Sequence, residues 1–282
     1  MHFTTHNIRL PDGTETRPES GFLVEDYGAF RASVRMLNLV FPDGLNDKSI
    51  ADLGCLEGGF TVGFARLGME ATGIEIRESH LVNCRYVQSK LNLPNLRFIK
   101  DDVNNIDKHG PFDAIFAPGI FYHLDRPGAF LEKASSVCRK VIFFETHFTY
   151  KHQTAAAEKF QLSELCENEG LMGRWYTEHD LVPGPALEAL KYASWENKRS
   201  FWLQKEYLLD LLAKVGFDIV LEQYDMFENT DYLPARNLLD SIEGYYNAQD
   251  RGMFIGIRCN ARLDASVSTE GLVGQGTCTL PA

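Results

Sequence analysis

Three carboxylates occupy comparable places in the first half of the chain. Asp52 lies at the end of the apolar run "SIADLG", Glu75 closes "EATGIE", and Asp102 follows "LRFIKD". After Asp52 comes a turn with three glycines, Gly54, Gly58 and Gly59. Such a turn exposes backbone N–H groups and lets a ligand approach the main chain closely. A pyrophosphate gains nothing from an acid just ahead of that turn, whereas a positively charged cofactor with an amino group does. The spacing, with Leu56 in the middle, also departs from the dinucleotide pattern G-x-G-x-x-G. These residues favour S-adenosylmethionine over a dinucleotide. Glu75 suits the two hydroxyls of a ribose, and Asp102 suits an adenine amino group with Val103 beside the ring.

A second group could move protons. "FDAIFAPGIFYHLDRP" carries Tyr122 and His123 past one apolar run, and "KVIFFETHFTY" carries Glu145 and His147 out of the next. An imidazole titrates near neutral pH, so His147 and His123 are candidate general bases. Glu145 can orient a histidine or bind an ammonium group. A structural reading stands beside each: His123 could pin its loop, and His147 could be a solvated loop residue. Glu145, His147, His152 and His179 could be read as a metal cluster, but Glu-x-His is not a ligand spacing, and no metal is expected.

These residues need elements to hold them. Short apolar runs at 49–53, 70–75, 96–99, 113–117 and 140–145 read as strands, and 58–67, 78–91 and 127–138 as helices. The alternation predicts a doubly wound, mostly parallel α/β sheet covered on both faces. In such sheets ligands bind at the carboxyl ends of the strands, where the acids stand. A helix is expected over 25–41, ending at Pro42, and another over 201–217, closed by Gly216. "DIVLEQYDMF" and "RGMFIGIRC" read as two late strands, and the connection over 225–250 is long enough to suggest function.

The chain has 282 residues, a formal net charge of -11 and 44% hydrophobic residues. That acidic balance argues against DNA and disfavours RNA. The six cysteines form no C-x-x-C pair. They suit reduced thiols in a cytoplasmic protein. No apolar run has the roughly 18 residues of a membrane span, and the first residues lack the apolar stretch of a secretory leader. A homodimer is compatible with all of this.

Taken together, "DLGCLEGGF", "GIEI", "KDDV" and "FDAIFAPGIFYHLDRP" resemble the successive motifs of class I S-adenosylmethionine-dependent methyltransferases. The resemblance covers roughly residues 45–146. It implies a Rossmann-like methyltransferase fold of seven strands, the last antiparallel, with an insert after strand five. It implies that Asp52, Gly54 and Gly58 surround the methionine part of the cofactor, Glu75 the ribose and Asp102 the adenine. Cys55, Ile76, Val103 and Pro118 complete that wall. One position departs: Leu56 stands where many members have Gly.

The implied organisation is an N-terminal arm and cap helix (1–44), a cofactor-binding core (45–146) and an insert serving as substrate lid (147–200). A C-terminal helix and strands (201–260) complete the sheet, before a disordered tail (261–282). The acceptor is expected to be a small molecule, anionic or aromatic, bearing a hydroxyl or amine. Tyr122, Trp175 and Arg199 are its candidate contacts, with Tyr232 and Arg236 from the long connection. "FYHLDRP" also looks like the corresponding stretch of tRNA wobble-uridine carboxymethyl transferases, which keeps an RNA-modifying alternative. A non-catalytic cofactor-binding protein is the alternative of another class.

Overall fold

The computed structural model describes residues 2–224 and 249–259. An arm and two short helical turns lead into α1 (Gly28–Val40). Strands and helices then alternate: β1 (Ser49–Leu53), α2 (Gly59–Arg66), β2 (Glu70–Glu75), α3 (Glu78–Lys90), β3 (Leu96–Lys100) and β4 (Phe112–Pro118). Next come α4 (Pro127–Val137) and β5 (Cys138–His147). The insert holds α5 (Ala155–Lys159), β6 (Cys166–Asn168), β7 (Leu171–Thr177), α6 (Pro185–Ala189) and β8 (Arg199–Leu203). The chain returns through α7 (Lys205–Lys214), β9 (Ile219–Gln223) and β10 (Arg251–Ile257).

The main sheet has seven strands in the order β3-β2-β1-β4-β5-β10-β9. The pairings from β3 through to β5 are parallel, and β10 runs antiparallel to both its neighbours. This is the Rossmann-like methyltransferase fold. Its strands are apolar on both sides because helices cover both. In β5, Val141 and Phe143 face the cluster that includes Phe30, Val62 and Phe64, while Ile142 and Phe144 face the cluster of Phe130, Leu208 and Leu212. That period of two places a strand's last residue at the sheet edge, where a ligand can reach it.

Two boundaries differ from expectation. The helix expected over 201–217 begins only at Lys205, because 199–203 form β8, antiparallel to β7 in a three-stranded sheet. Phe201 packs into the main core and Trp202 into a separate insert cluster, so both faces of this strand are apolar and the run imitates a helix. Residues 199–203 therefore pair with the insert strand β7. The helix expected from residue 25 begins at Gly28, since Val24–Asp26 make a separate turn. Tyr232, Arg236 and the tail over 261–282 lie outside the described residues.

Candidate active site

A cleft of about 670 Å³ opens at the carboxyl edge of the main sheet. Glu75 at the end of β2 and Ile76 after it line the cleft, with Asp102 and Val103 after β3 and Pro118 and Gly119 at the end of β4. The carboxylate of Glu75 is only 5% exposed. It accepts the Leu56 N–H at 3.0 Å on Oε2 and the Arg77 N–H at 2.8 Å on Oε1. Two ionised oxygens offer about four acceptor sites, so two donors leave capacity for a diol. Asp102 caps the helical turn Val103–Lys108, its Oδ1 accepting the Asn104 N–H at 2.7 Å. The cap engages only Oδ1, so capping does not by itself exclude a ligand at this carboxylate.

The glycine turn explains the Leu56 departure. Gly54 and Gly58 have φ of 65° and 80°, and Leu56 itself sits at 49°, in the left-handed region. That conformation is costly for a side chain such as leucine. The Glu75 carboxylate holds the Leu56 N–H there, and the Cys84 thiol donates to the Leu56 carbonyl at 3.1 Å. The loop is thus fixed by partners from β2 and α3.

Asp52, Cys55 and Gly58 are not on the cleft surface. Asp52 is buried beneath the turn, where its Oδ2 accepts the Thr61 hydroxyl at 2.6 Å. Its Oδ1 has no partner among the described residues. Burial pushes this carboxyl up to about 7. An orphaned buried carboxylate oxygen beside a glycine turn fits the amino group of a cofactor. Cys55 is fully buried, and burial raises its thiol well above the ordinary value.

The two histidines part company. His123 lines the cleft, and its Nδ1 lies 2.7 Å from Glu178 Oε1. His147 does not line it. The strand β5 runs on through His147, opposite Arg251 of β10, and the ring leaves the sheet to pack against residues outside it. It stacks on Trp202 with centroids 4.4 Å apart, and Nδ1–H donates to the Gln249 carbonyl at 2.9 Å. Burial, aided by the Arg251 charge, lowers it to about 3. An imidazole held neutral under a tryptophan is poorly placed to collect an acceptor's proton. His147, expected as the first base, lies off the cleft and packs among the rings of Tyr122, Phe160 and Trp202.

Glu145 lines the cleft with both carboxylate oxygens engaged by Arg251. The same guanidinium lies 5.2 Å from the Tyr122 ring, a cation–π contact. Burial pushes the Tyr122 phenol up to about 12, so it serves as a neutral wall and hydroxyl. Trp175 and Arg199 pair with each other, 4.7 Å apart, and do not reach the cleft. From the same aromatic and basic insert, Lys191, Tyr192 and Trp195 do. Arg77 secures that segment, donating to the Leu187 and Ala193 carbonyls at 2.6 Å each and lying 4.8 Å from the Trp195 ring.

The N-terminal arm forms the facing wall, which no sequence motif announced. Glu57 accepts the N–H groups of Thr4, Thr5 and His6 at 2.7, 3.0 and 3.0 Å. His6 Nδ1 accepts the Gly59 N–H at 3.0 Å, at the start of α2, and burial lowers its imidazole to about 4. The Tyr192 hydroxyl meets Thr5 Oγ1 at 2.6 Å, so arm and insert touch across the opening. His179, one of the residues considered for a metal, is buried and bonded to the Ser194 carbonyl at 2.9 Å. Among the described residues no group of three or more His, Cys, Asp or Glu is placed to hold a metal ion. Nor is any described helix long and apolar enough to cross a membrane.

The buried titratable groups set opposing pH dependences. His6 and His147 are neutral in the fold down to about 4 and 3, whereas an unperturbed imidazole titrates near 6.5. Below 6.5 the unfolded chain binds more protons than the folded one at these sites, so stability falls as pH drops. Asp52 has the reverse sign, about 7 folded against 3.8. There the folded chain holds the extra proton, so this contribution weakens as pH rises through that window. In cofactor-free protein the urea midpoint should therefore fall between pH 6.5 and 4.5, and more steeply in Asp52→Asn, which removes the opposing group. Parallel curves for the two proteins would contradict the buried, unpaired state of Asp52.

A family model described as methyltransferase domain matches residues 45–222, more than half of the chain. The chain is similar to pavine N-methyltransferase of Thalictrum flavum subsp. glaucum, 29% identical over 176 residues. That match takes in 61% of this chain and 44% of the relative, so the chain spans less than half of the relative's length. Its fold is similar to that of the N-terminal domain of EvdMO1, solved with S-adenosylhomocysteine and D-fucose. There the TM-score is 0.57, with 22% identity and 82% of each chain covered. It is also similar to the 1,6-didemethyltoxoflavin-N1-methyltransferase of Burkholderia thailandensis, solved with 1,6-didemethyltoxoflavin and S-adenosylhomocysteine. The TM-score is 0.51 at 13% identity, over 87% of this chain and 84% of that one. At such identities these two likenesses concern the fold. The extent of the family match decides membership: the chain belongs to the methyltransferase-domain family, the class I S-adenosylmethionine-dependent methyltransferases.

Proposed function

We propose that the chain transfers a methyl group from S-adenosylmethionine to a hydroxyl or amine of a small molecule held in this cleft. The observation that carries the reading is the series of acids at or just past the carboxyl ends of β1, β2 and β3, with Glu75 and Asp102 lining the cleft and Asp52 buried beneath its glycine turn. Asp52 would take the amino group, Glu75 the ribose hydroxyls, and Asp102 with Val103 the adenine. Gly54, Ile76 and Pro118 give the apolar surface between them. When bound, the cofactor supplies the electrophilic methyl group.

The chain's own residues then have three tasks. Tyr122, Tyr192 and Trp195 bound the acceptor and exclude water. The Arg251–Glu145 pair is held neutral as a unit, so it positions Tyr122 without adding net charge. His123 receives the acceptor's proton, which aligns the freed lone pair for in-line displacement. The size of the cleft supports a small acceptor, since ligand pockets commonly run from about 300 to 1,000 Å³. Two relatives carry names that describe methylation of small molecules. A hydroxyl or amine on a metabolite, sugar or natural-product intermediate fits these walls.

The test uses methyl-labelled S-adenosylmethionine with the protein and an extract of source cells, fractionated by size and nuclease sensitivity. Label in the low-mass, nuclease-resistant fraction is expected. Label confined to nuclease-sensitive RNA would overturn the small-molecule reading. Cofactor binding with no label in any fraction would count against catalysis itself.

A further inference from the structure

The following rests on His123 being the proton acceptor. We infer that Glu178 of the insert is a positioning residue for His123, fixing the imidazole with its proton on Nδ1 and tying that state to closure of residues 191–197 over the cleft. Glu178 follows β7, and its side chain is only 2% exposed. Its Oε1 accepts from His123 Nδ1 at 2.7 Å and from the Ser200 hydroxyl at 2.8 Å. Its Oε2 accepts the Ser194 N–H at 3.3 Å. A carboxylate that only accepts takes a proton from Nδ1, and in the neutral ring that tautomer leaves the lone pair on Nε2. No described residue is bonded to Nε2, while His123 itself lines the cleft.

The three donors come from three separate pieces of chain. His123 belongs to the turn after β4, Ser200 to β8, and Ser194 to the segment that lines the cleft. A buried carboxylate lacking its donors is costly, so the site is stable only when all three pieces meet. A second strut reinforces the link, with Asn197 Nδ2 donating to the His123 carbonyl at 2.9 Å. Trp202 Nε1 donates to the Tyr122 carbonyl at 3.0 Å, and the Phe201 N–H to the Leu124 carbonyl at 2.7 Å. The insert thus grips the whole Tyr122–Leu124 turn. Opening of the 191–197 segment removes a donor from Glu178 and loosens the base. Substrate entry and base alignment are thereby coupled.

The experiment compares wild type, Glu178→Gln and Glu178→Asp in the full chain. Imidazole ¹⁵N NMR with S-adenosylhomocysteine reads the tautomer of His123, its signal assigned by loss in His123→Asn. Transfer from methyl-labelled S-adenosylmethionine into the small-molecule fraction of source cells reads the rate. Glu178→Gln, whose amide can donate or accept, should release the Nδ1–H tautomer into a mixture. It should slow transfer about ten-fold or more, as a wrongly held histidine does elsewhere, with S-adenosylhomocysteine affinity within about two-fold. Glu178→Asp should recover the tautomer and part of the rate. An unchanged tautomer in Glu178→Gln, or a rate within two-fold of wild type, would overturn the role. The NMR result needs no acceptor, so it judges Glu178 even if wild type transfers no label, an outcome that would instead sink the transfer reading.

Discussion

His123→Ala should lower methyl transfer by roughly 10²- to 10⁴-fold, the usual contribution of a positioned general base. Calorimetric affinity for S-adenosylmethionine should stay near that of wild type. His123 is the histidine placed after a strand end that both lines the cleft and is oriented by a buried carboxylate. The comparison with His147 makes the expectation sharp. His147 is packed against Trp202, Tyr122 and Phe160, with ring centroids 4.4, 4.8 and 5.1 Å away. Truncating it to alanine should cost stability by about 2–4 kcal/mol, as for other large-to-small core changes. The informative variant is His147→Phe, which preserves an aromatic ring. It should fold and retain most of the transfer rate. If His147→Phe lost transfer as deeply as His123→Ala while remaining folded, the assignment of the base would be reversed.

Glu75→Ala should reduce affinity for S-adenosylmethionine by about 10²-fold or more. Hydrogen bonds to a charged group contribute about 1.5–3 kcal/mol each, and the ribose offers two hydroxyls. The loss has a second source in the protein itself. Glu75 also holds the N–H groups of Leu56 and Arg77, and without it the left-handed Leu56 has no partner for its amide. The glycine turn would then relax away from the cofactor. Glu75→Gln separates the two effects, since its carbonyl can keep one backbone donor while the charge is lost. It should bind more weakly than wild type and more tightly than Glu75→Ala. Unchanged affinity in both variants would remove Glu75 from the cofactor site.

Much of the core could be read along the chain because its cues are local. A strand that ends in an acid, followed by glycines or a helical turn, delivers that acid to the sheet edge by geometry alone. The order of strands and helices then brings successive edges together. Glu75, Ile76, Asp102, Val103 and Pro118 all line one cleft for this reason. The two-sided apolar pattern of β5 likewise announced a strand covered on both faces. The error at 201–203 was also local. A strand buried on both faces and a buried helix start present the same run of apolar letters.

The sequence determined the parallel sheet, its carboxyl edge and the acids near that edge, because strand period and chain order suffice to place them. Only the tertiary structure decided which candidates face the cleft. His123 and His147 look alike in sequence, each a histidine just past an apolar run. Their difference comes from Glu178, 55 residues from the first, and from Trp202, which covers the second. Arg251 reaches Glu145 across 106 residues, through a strand that pairs antiparallel to β5. Thr5 meets Tyr192 across 187 residues to bring the arm against the insert. Burial and hydrogen-bond partners of this range are set by packing, and packing fixes whether an imidazole faces a cleft or is covered by a ring.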